Sequence, residues 1–365
     1  MKRSKSSRIL KILSYVLLIT GMIVILYPFY LTIITALKTP QESSQSFFSF
    51  PQSFYLGNFV NVLQKANYFV FFRNSAVVTL VSVFLIICAI RRMIENGVNL
   101  IDTAPCYGNG TSEKIVGEVL KEIPREQVLI STKFGLIPDI YTHGYKKDTS
   151  YKNAMREIQS SLMNLETDYI DFYFVHWPDV NTPIDETMAA LEEMKRKGYI
   201  RYVGVSNFTA EQIKEAEQYI QIDVQQPLYS MVDRGFEDLM SWGYDRGIDS
   251  MTYGSMGAGI LSGKIRSVPS FEKNDLRLNF YDVYKEPKFS KIMELLKVMD
   301  SIADGHNVPV GQVALNWSTQ KEYVGTALVG VRSIEHADEN CKTFDWKLTE
   351  EEMKILDSKI EECAL

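Results

Sequence analysis

Apolar positions are distributed along this chain in two different ways, and the change falls near residue 90. From Ile9 to Leu37 the sequence is uncharged apart from Lys11, and Ile12 to Ala36 is long enough to cross about 30 Å of hydrocarbon as a helix. A second apolar run, Ala76 to Ile90, would span about 22 Å at 1.5 Å per residue. It crosses a bilayer if flanking residues snorkel or the bilayer thins, and the same length also suits a buried helix or strand of a soluble domain. Past residue 91 short β-rich runs alternate with amphipathic stretches. The expected strands are Asn99 to Thr103, Val128 to Lys133, Asp171 to His176, Tyr202 to Ser206, Asp223 to Pro227, Ile248 to Tyr253 and Thr326 to Gly330. Helical patterns lie between them at Ser112 to Leu120, Asn153 to Leu165, Ile184 to Arg196, Ala210 to Tyr219 and Val310 to Trp317. Repeated strand–helix units predict an α/β fold, a (β/α)8 TIM-type barrel. Seven strands are visible where closure needs eight, so the expectation is a barrel lacking a recognisable first strand, preceded by one or two transmembrane helices.

Composition and charge narrow this picture. The chain of 365 residues is 46% hydrophobic and 23% charged, which suits a folded protein of one large or two ordinary domains. Division at residues 1–90 and 91–365 follows from the change in pattern. Lys2, Arg3, Lys5 and Arg8 precede the first apolar run, and Arg91 and Arg92 follow the second. The positive-inside rule therefore places the N-terminus and everything past residue 90 in the cytoplasm, with residues 38–73 outside. The expected location is the cell membrane, with the barrel on its cytoplasmic side. A cleaved signal peptide competes with this reading, but the first run exceeds an h-region and no small-x-small site follows it. A net charge of −6, without a basic run after the first dozen residues, argues against nucleic acid as a partner. Cys88, Cys106, Cys341 and Cys363 are scattered, with neither a CxxC pair nor histidine at metal spacing, so no disulfide framework or zinc site is expected.

Chemistry in such barrels sits at the C-terminal ends of the strands. There IDTAPCYGNGTSEKIVG places Asp102 at a strand end and Tyr107 in the loop after it, VLISTKFG places Lys133, and DFYFVHWPD places His176. A phenol with a pKa near 10 is a poor acid at neutral pH unless its phenolate is stabilised. Lys133 supplies a positive charge for that purpose, and Asp102 holds the lysine oriented and protonated. Tyr107 then protonates a carbonyl oxygen as hydride reaches carbon, while a neutral His176 hydrogen-bonds the same oxygen. Each residue alone has a plainer explanation, as a helix cap, a solvated lysine or a packed ring. Their order on three successive strand ends is what groups them.

DTAPCYGNGTSEKIVG, STKFG, SLMNLETDYIDFYFVHWPD and IRYVGVSNF together resemble the aldo-keto reductase superfamily over about residues 91–362. The resemblance implies that Asp102, Tyr107, Lys133 and His176 form the catalytic tetrad, with Tyr107 as general acid, and that NADPH reduces a small aldehyde or ketone. It further implies that Ser206, Asn207 and Gln226 bond the nicotinamide carboxamide, with the ring of Tyr229 beside the nicotinamide or its strand. YGSMGAGILSGK resembles the loop over the pyrophosphate, which brings in Tyr253, Gly254, Ser255, Met256 and Lys264. GVRSIEHADENCK resembles the adenosine-binding stretch, with Arg332 and Ser333 on the 2′-phosphate, Glu339 and Asn340 on the adenine, and His336 in a position often filled by glutamine or arginine. An arginine facing a phosphate favours NADPH over NADH. The long connection from Arg266 to Lys291 lacks periodicity and is expected to act as a lid, with Phe280 and Tyr281 shaping the pocket beside Trp177.

ILYPFYLTIITALKTPQE, LGNFVNVL and RNSAVVTLVSVFLI resemble the start of an ABC sugar transporter permease over about the first 90 residues. No further spanning helices or coupling loop follow, so transporter subunits are not expected as partners. The chain thus reads as a chimeric fusion of two truncated coding regions. The initial hairpin and first barrel strand of the reductase pattern are missing, and Tyr68 to Leu80 offers an apolar, β-branched surrogate strand. That fate excludes membrane crossing by the same residues. Two other readings stand beside an active reductase: a catalytically impaired nicotinamide-binding or membrane-associated module, and a remnant permease component.

Overall fold

Long uncharged stretches have no polar side chains to compete for the backbone, and here they form helices. In a computed structural model of the protein, which describes residues 5–65, 67–139, 144–271, 275 and 281–365, helix α1 spans Lys5–Ala36. Helix α2 (Pro40–Gln45) follows, with Thr39 as its N-cap, then α3 (Gly57–Lys65) and α4 (Tyr68–Glu95). Lys38 is buried between α1 and α2 because its ammonium donates to the carbonyls of Ser46, at 2.6 Å, and Phe47, at 3.1 Å. Residues 68–80 are therefore helical, and the surrogate-strand expectation is corrected. Apolar side chains at consecutive positions favour a continuous helix here over the period-two alternation of a half-buried strand. The helix is also longer than the run that announced it, 28 residues or about 42 Å at 1.5 Å per residue. Among the described residues, this helix alone is long and apolar enough to cross a bilayer by length and composition, while Thr20–Ala36 forms a shorter apolar stretch.

Contacts divide the chain between Ser82 and Val83, earlier than the change in composition suggests. In the unit from Val83 onward, seven strands form one parallel sheet: β1 (Leu100–Asp102), β2 (Leu129–Phe134), β5 (Ile170–Val175), β6 (Ile200–Ser206), β7 (Val224–Gln226), β8 (Asp249–Thr252) and β9 (Thr326–Ala327). Every pairing in this order is parallel. The expected strands all occur, with ends displaced by up to three residues: β6 begins two residues earlier than expected and β9 ends three residues earlier. Helices α5 (Thr111–Leu120), α6 (Tyr151–Leu165), α7 (Ile184–Arg196), α8 (Ala210–Ala216) and α9 (Glu237–Tyr244) each return the chain to the next strand. Two helices, α10 (Lys288–His306) and α11 (Val310–Thr319), precede β9, and α12 (Ile334–Cys341) and α13 (Glu350–Cys363) close the chain. The order starts at β1 and ends at β9, so among the described residues the sheet is an α/β barrel open by one position. A further hairpin, β3 (Leu136–Asp139) with β4 (Gly144–Lys147), was not foreseen, because its strands are too short to show an alternation.

The central strands are buried, as parallel strands between helices and a barrel interior require. Five of the six residues of β5 are buried. Where β6 crosses β5, a Cβ on Gly204 would stand 2.3 Å from the Phe174 ring, so only glycine lets these strands pair around that side chain. Asp171, fully buried in β5, takes Arg125 on one oxygen at 2.6 Å and Arg201 on the other at 2.9 Å, and it also accepts the Ile130 amide. The two guanidiniums lie on the Tyr169 ring, 4.1 and 3.9 Å from its centre. Asp171→Ala leaves the largely buried Arg125 unpaired and is expected to cost about 3–5 kcal/mol of stability. A lowered midpoint of thermal unfolding checks this, and an unchanged midpoint would show that water replaces the carboxylate.

Candidate active site

The strand ends converge as the parallel arrangement dictates. Asp102 is the last residue of β1, Lys133 lies one residue before the end of β2, and His176 directly follows β5. Lys133 is fully buried and donates to Asp102 Oδ2 at 2.6 Å and to the Thr103 carbonyl at 2.8 Å. Its ammonium stands 5.3 Å from the centre of the Tyr107 ring, and that ring meets His176 edge-on at 6.0 Å. All four expected catalytic residues are therefore brought together.

Their electrostatics follow from burial and neighbours. Burial by itself lowers the pKa of Lys133, but the Asp102 carboxylate and then the Tyr107 phenol outweigh it and leave it raised, so the side chain stays cationic. Part of Tyr107 reaches solvent, at 43% exposure, yet the phenol is enclosed enough that burial pushes it above its ordinary value while the Lys133 charge pulls the other way. His176 is lowered to about 3 by burial and then by the Lys133 charge, so it is neutral at physiological pH. The cationic lysine, neutral histidine and protonated phenol are the charge states that proton donation to a carbonyl requires.

A chain of hydrogen bonds ties the tetrad to part of the expected cofactor set. Gln226 Nε2 donates to Asp102 Oδ1 at 3.1 Å, and the Gln226 backbone carbonyl accepts from Ser206 Oγ at 2.8 Å. Asn207 Nδ2 donates to Ser206 Oγ and to the His176 carbonyl, and Asn207 Oδ1 accepts from the Tyr253 hydroxyl at 2.9 Å. Asn207 holds φ +61°, a left-handed conformation that asparagine tolerates and that turns its amide back toward the strand ends. Tyr253 directly follows β8, and Gly254, Ser255 and Met256 come after it. A Cβ on Gly254, at φ +71°, would meet Leu228 at 2.4 Å and would lie 3.8 Å from the Tyr281 hydroxyl, which brings this part of the expected lid to the loop. Phe280 lies outside the described residues.

The phosphate-side residues form a second group. Ser333 caps α12 by accepting the His336 amide, Glu339 and Asn340 lie in that helix, and Arg332 is exposed just before it. Lys264 approaches Glu339 at 3.9 Å. A cavity of about 740 Å³ is lined by Asp102, Tyr107, Gln226 and Tyr253 at one side and by Gly330 and Asn340 at the other, while Lys264, Arg332, Ser333 and Glu339 are not among its lining residues. Its size lies within the usual range for ligand pockets, and Gln226, Tyr253 and Asn340 bring amide and hydroxyl groups to it that suit the polar ends of a nicotinamide cofactor. Tyr229 is a correction: it is fully buried, stacked on Trp317 at 5.6 Å, with its hydroxyl on Glu237, so it serves the core and Tyr253 faces the site instead. Trp177 lies under Lys147 of the β4 strand, 4.9 Å from the ammonium to the ring centre.

Sequence reasoning missed two neighbours. Ser131 Oγ donates to Asp102 Oδ1 at 2.6 Å. It stands two residues before Lys133, so the period of a strand puts both on one face, and that spacing was a usable signal. Cys106 Sγ lies 3.7 Å from His176 Nδ1, and burial pushes its thiol up to about 11, so it faces the histidine as a neutral thiol. Nothing in the local sequence announced this contact.

Residues 85–361 match the model of the Aldo/keto reductase family. The chain belongs to that family. The reductase is similar to the NADH-specific methylglyoxal reductase of Escherichia coli (strain K12), with 32% identity over 71% of this chain and 82% of that protein. Among solved structures it is similar to the glycerol dehydrogenase AKR11B4 from Gluconobacter oxydans, at 31% identity and a TM-score of 0.70 over 76% of this chain and 85% of that one. It is also similar to an aldo/keto reductase from Klebsiella pneumoniae solved in complex with NADP and acetate, at 26% identity and a TM-score of 0.60 over 76% and 86%. The relatives are oxidoreductases, and the fold and enzyme class of this chain are theirs.

Proposed function

We propose that this reductase uses NADPH to convert an aldehyde or ketone to an alcohol, with Tyr107 as general acid. The observation that carries the reading is the buried Asp102–Lys133 pair beside the Tyr107 phenol, next to a histidine held neutral. Bound in the cavity, a reduced nicotinamide supplies the hydride. Tyr107 gives its proton to the carbonyl oxygen as negative charge develops there, and Lys133 stabilises the phenolate left behind. Asp102, fixed by Ser131 and Gln226, keeps Lys133 aimed and charged. His176 orients the same oxygen. Ser206, Asn207 and Gln226 hold the carboxamide, Lys264 and the loop at Gly254 to Met256 the pyrophosphate, and Arg332 and Ser333 the 2′-phosphate, with Glu339 and Asn340 at the adenine. Exposure of Arg332 next to the start of α12 supports this preference for the phosphorylated cofactor.

The apolar, exposed faces of α1 and α4 support a tether to the cell membrane, with the reductase on the cytoplasmic side. The likeness of residues 1–90 to a transporter permease accounts for such helices without requiring transporter partners. A second reading, a module that binds nicotinamide without turnover, draws on the open position in the sheet.

Purified full-length protein in detergent is expected to oxidise NADPH with a panel of small carbonyls, and Arg332→Ala to weaken NADPH by about 10- to 100-fold, the loss of one or two charge-assisted hydrogen bonds, with NADH unaffected. Absence of cofactor binding would sink the reading. Binding without oxidation would favour the second.

A further inference from the structure

Cys106 and Tyr107 are neighbours in the loop after β1, and both meet the same imidazole. The loop is a tight turn, closed by the Tyr107 amide on the Ala104 carbonyl at 3.0 Å and by the Gly110 amide on the Pro105 carbonyl at 2.7 Å. It sets Tyr107 edge-on to the His176 ring, with 6.0 Å between centres, and Cys106 Sγ 3.7 Å from His176 Nδ1. The proposed mechanism uses the first contact and gives the second no part.

The main chain of His176 is fixed on both sides. Its amide donates to the Phe134 carbonyl at 2.9 Å, and its carbonyl accepts from Asn207 Nδ2 at 3.2 Å. What these bonds leave open is the ring: its torsion, and which nitrogen carries the single proton of a neutral imidazole. Both choices matter to the reaction, because a neutral imidazole can steer a carbonyl oxygen only through its one N–H. Cys106 is 6% exposed, and a neutral thiol has one hydrogen to give. Among the described residues, Nδ1 is the only hydrogen-bond partner of that thiol. With the thiol donating, Nδ1 is the bare nitrogen and the proton sits on Nε2. The reverse direction would leave the buried thiol hydrogen without an acceptor and turn the lone pair of Nε2 against those of the substrate oxygen.

We infer that Cys106 is a positioning residue for His176: its thiol donates to Nδ1, holds the ring in one orientation and keeps the proton on Nε2, the nitrogen left to meet the carbonyl oxygen. The inference rests on the reductase reading, which is what gives the Nε2 proton a substrate. No thiolate is required, and burial keeps the thiol protonated by pushing it up to about 11.

The test is the nitrogen NMR spectrum of full-length protein in detergent with isotope-labelled histidine, in which the protonated and bare nitrogens of a neutral ring are distinct. Comparison with His176→Gln assigns the His176 signals among the four histidines of the chain. The expected result is a single Nε2–H tautomer in the wild type and a mixture of tautomers in both Cys106→Ala and Cys106→Val. Both variants remove the donor, one leaving a cavity and the other filling it. In both, kcat/KM for carbonyl reduction is expected to fall about 2- to 10-fold with NADPH affinity unchanged, the loss of one hydrogen bond. A proton on Nδ1 in the wild type, an unchanged tautomer in both variants, or a change confined to the alanine variant, which would mean lost packing, overturns the inference. Should neither variant fold, the wild-type spectrum still decides the direction of the bond. The spectrum needs neither cofactor nor carbonyl, so the two readings fail separately. A wild type with the expected tautomer that oxidises no NADPH sinks the reductase reading, whereas carbonyl reduction by a protein with its proton on Nδ1 sinks this one alone.

Discussion

Tyr107→Phe is expected to lower kcat for carbonyl reduction by about 10²- to 10⁴-fold while leaving NADPH affinity essentially unchanged. The substitution removes one hydroxyl. The ring keeps its edge-on contact with His176 at 6.0 Å and its place near the Lys133 ammonium, so packing is conserved and only the proton donor is lost. His176 cannot replace it. Burial and the nearby lysine hold the imidazole at about 3, and a neutral imidazole is a far weaker acid than the imidazolium. Steady-state rates together with fluorescence titration of NADPH separate the two effects. A variant that kept full activity would show that the proton comes from elsewhere and that the tetrad is wrongly assigned.

Lys133→Met is expected to reduce kcat to a similar or greater extent and to lower stability by about 3–5 kcal/mol, since it breaks a buried ion pair by removing one partner. The two losses have different origins. Catalysis falls because the phenolate left on Tyr107 faces no compensating charge; stability falls because Asp102 keeps its bonds to Ser131 and Gln226 but loses its counter-ion. Circular dichroism and thermal unfolding read the second effect, and single-turnover rates on the folded fraction read the first. The pH profile adds a sign. Protonated Tyr107 is the working form, and its pKa lies above the usual value, so activity persists on the acid side and is lost as pH rises through that raised value. With His176 ionising only near 3, neither group is expected to bend kcat/KM between about pH 5 and 9. In Lys133→Met the opposing charge that restrains the Tyr107 shift is gone, so the alkaline limb moves further up. A limb moving down would contradict the proposed role of the lysine.

The tetrad was legible in the sequence because parallel strands end on one side of a barrel. Asp102, Lys133 and His176 each close a short β-rich run, and that rule alone brings them together. The seven strands were legible for a related reason: short β-rich runs such as Ile170–Val175 alternate with amphipathic stretches, the mark of repeated strand–helix units. Helix limits at Ile184–Arg196 were likewise readable, from an apolar stripe that ends where Lys195 and Arg196 begin. The antiparallel pair of Leu136–Asp139 and Gly144–Lys147 was not, because four-residue strands carry too little alternation to stand out.

What tertiary structure decided concerns partners rather than elements. Tyr229 and Tyr253 sit in equally plausible motifs, and only packing shows that the first stacks on Trp317 while the second bonds Asn207 at the site. The contact of Cys106 with His176 joins residues 70 positions apart, beyond any local signal. The fate of residues 68–80 could not be read from composition, since an apolar, β-branched run suits helix and strand alike; the structure makes it part of a 28-residue helix. The sequence by itself therefore determined which side chains stand at the strand ends, through a periodicity that each segment carries locally. Their hydrogen-bond partners, their charge states and the open position between β1 and β9 depend on groups far apart in the chain, and only folding brings those within reach.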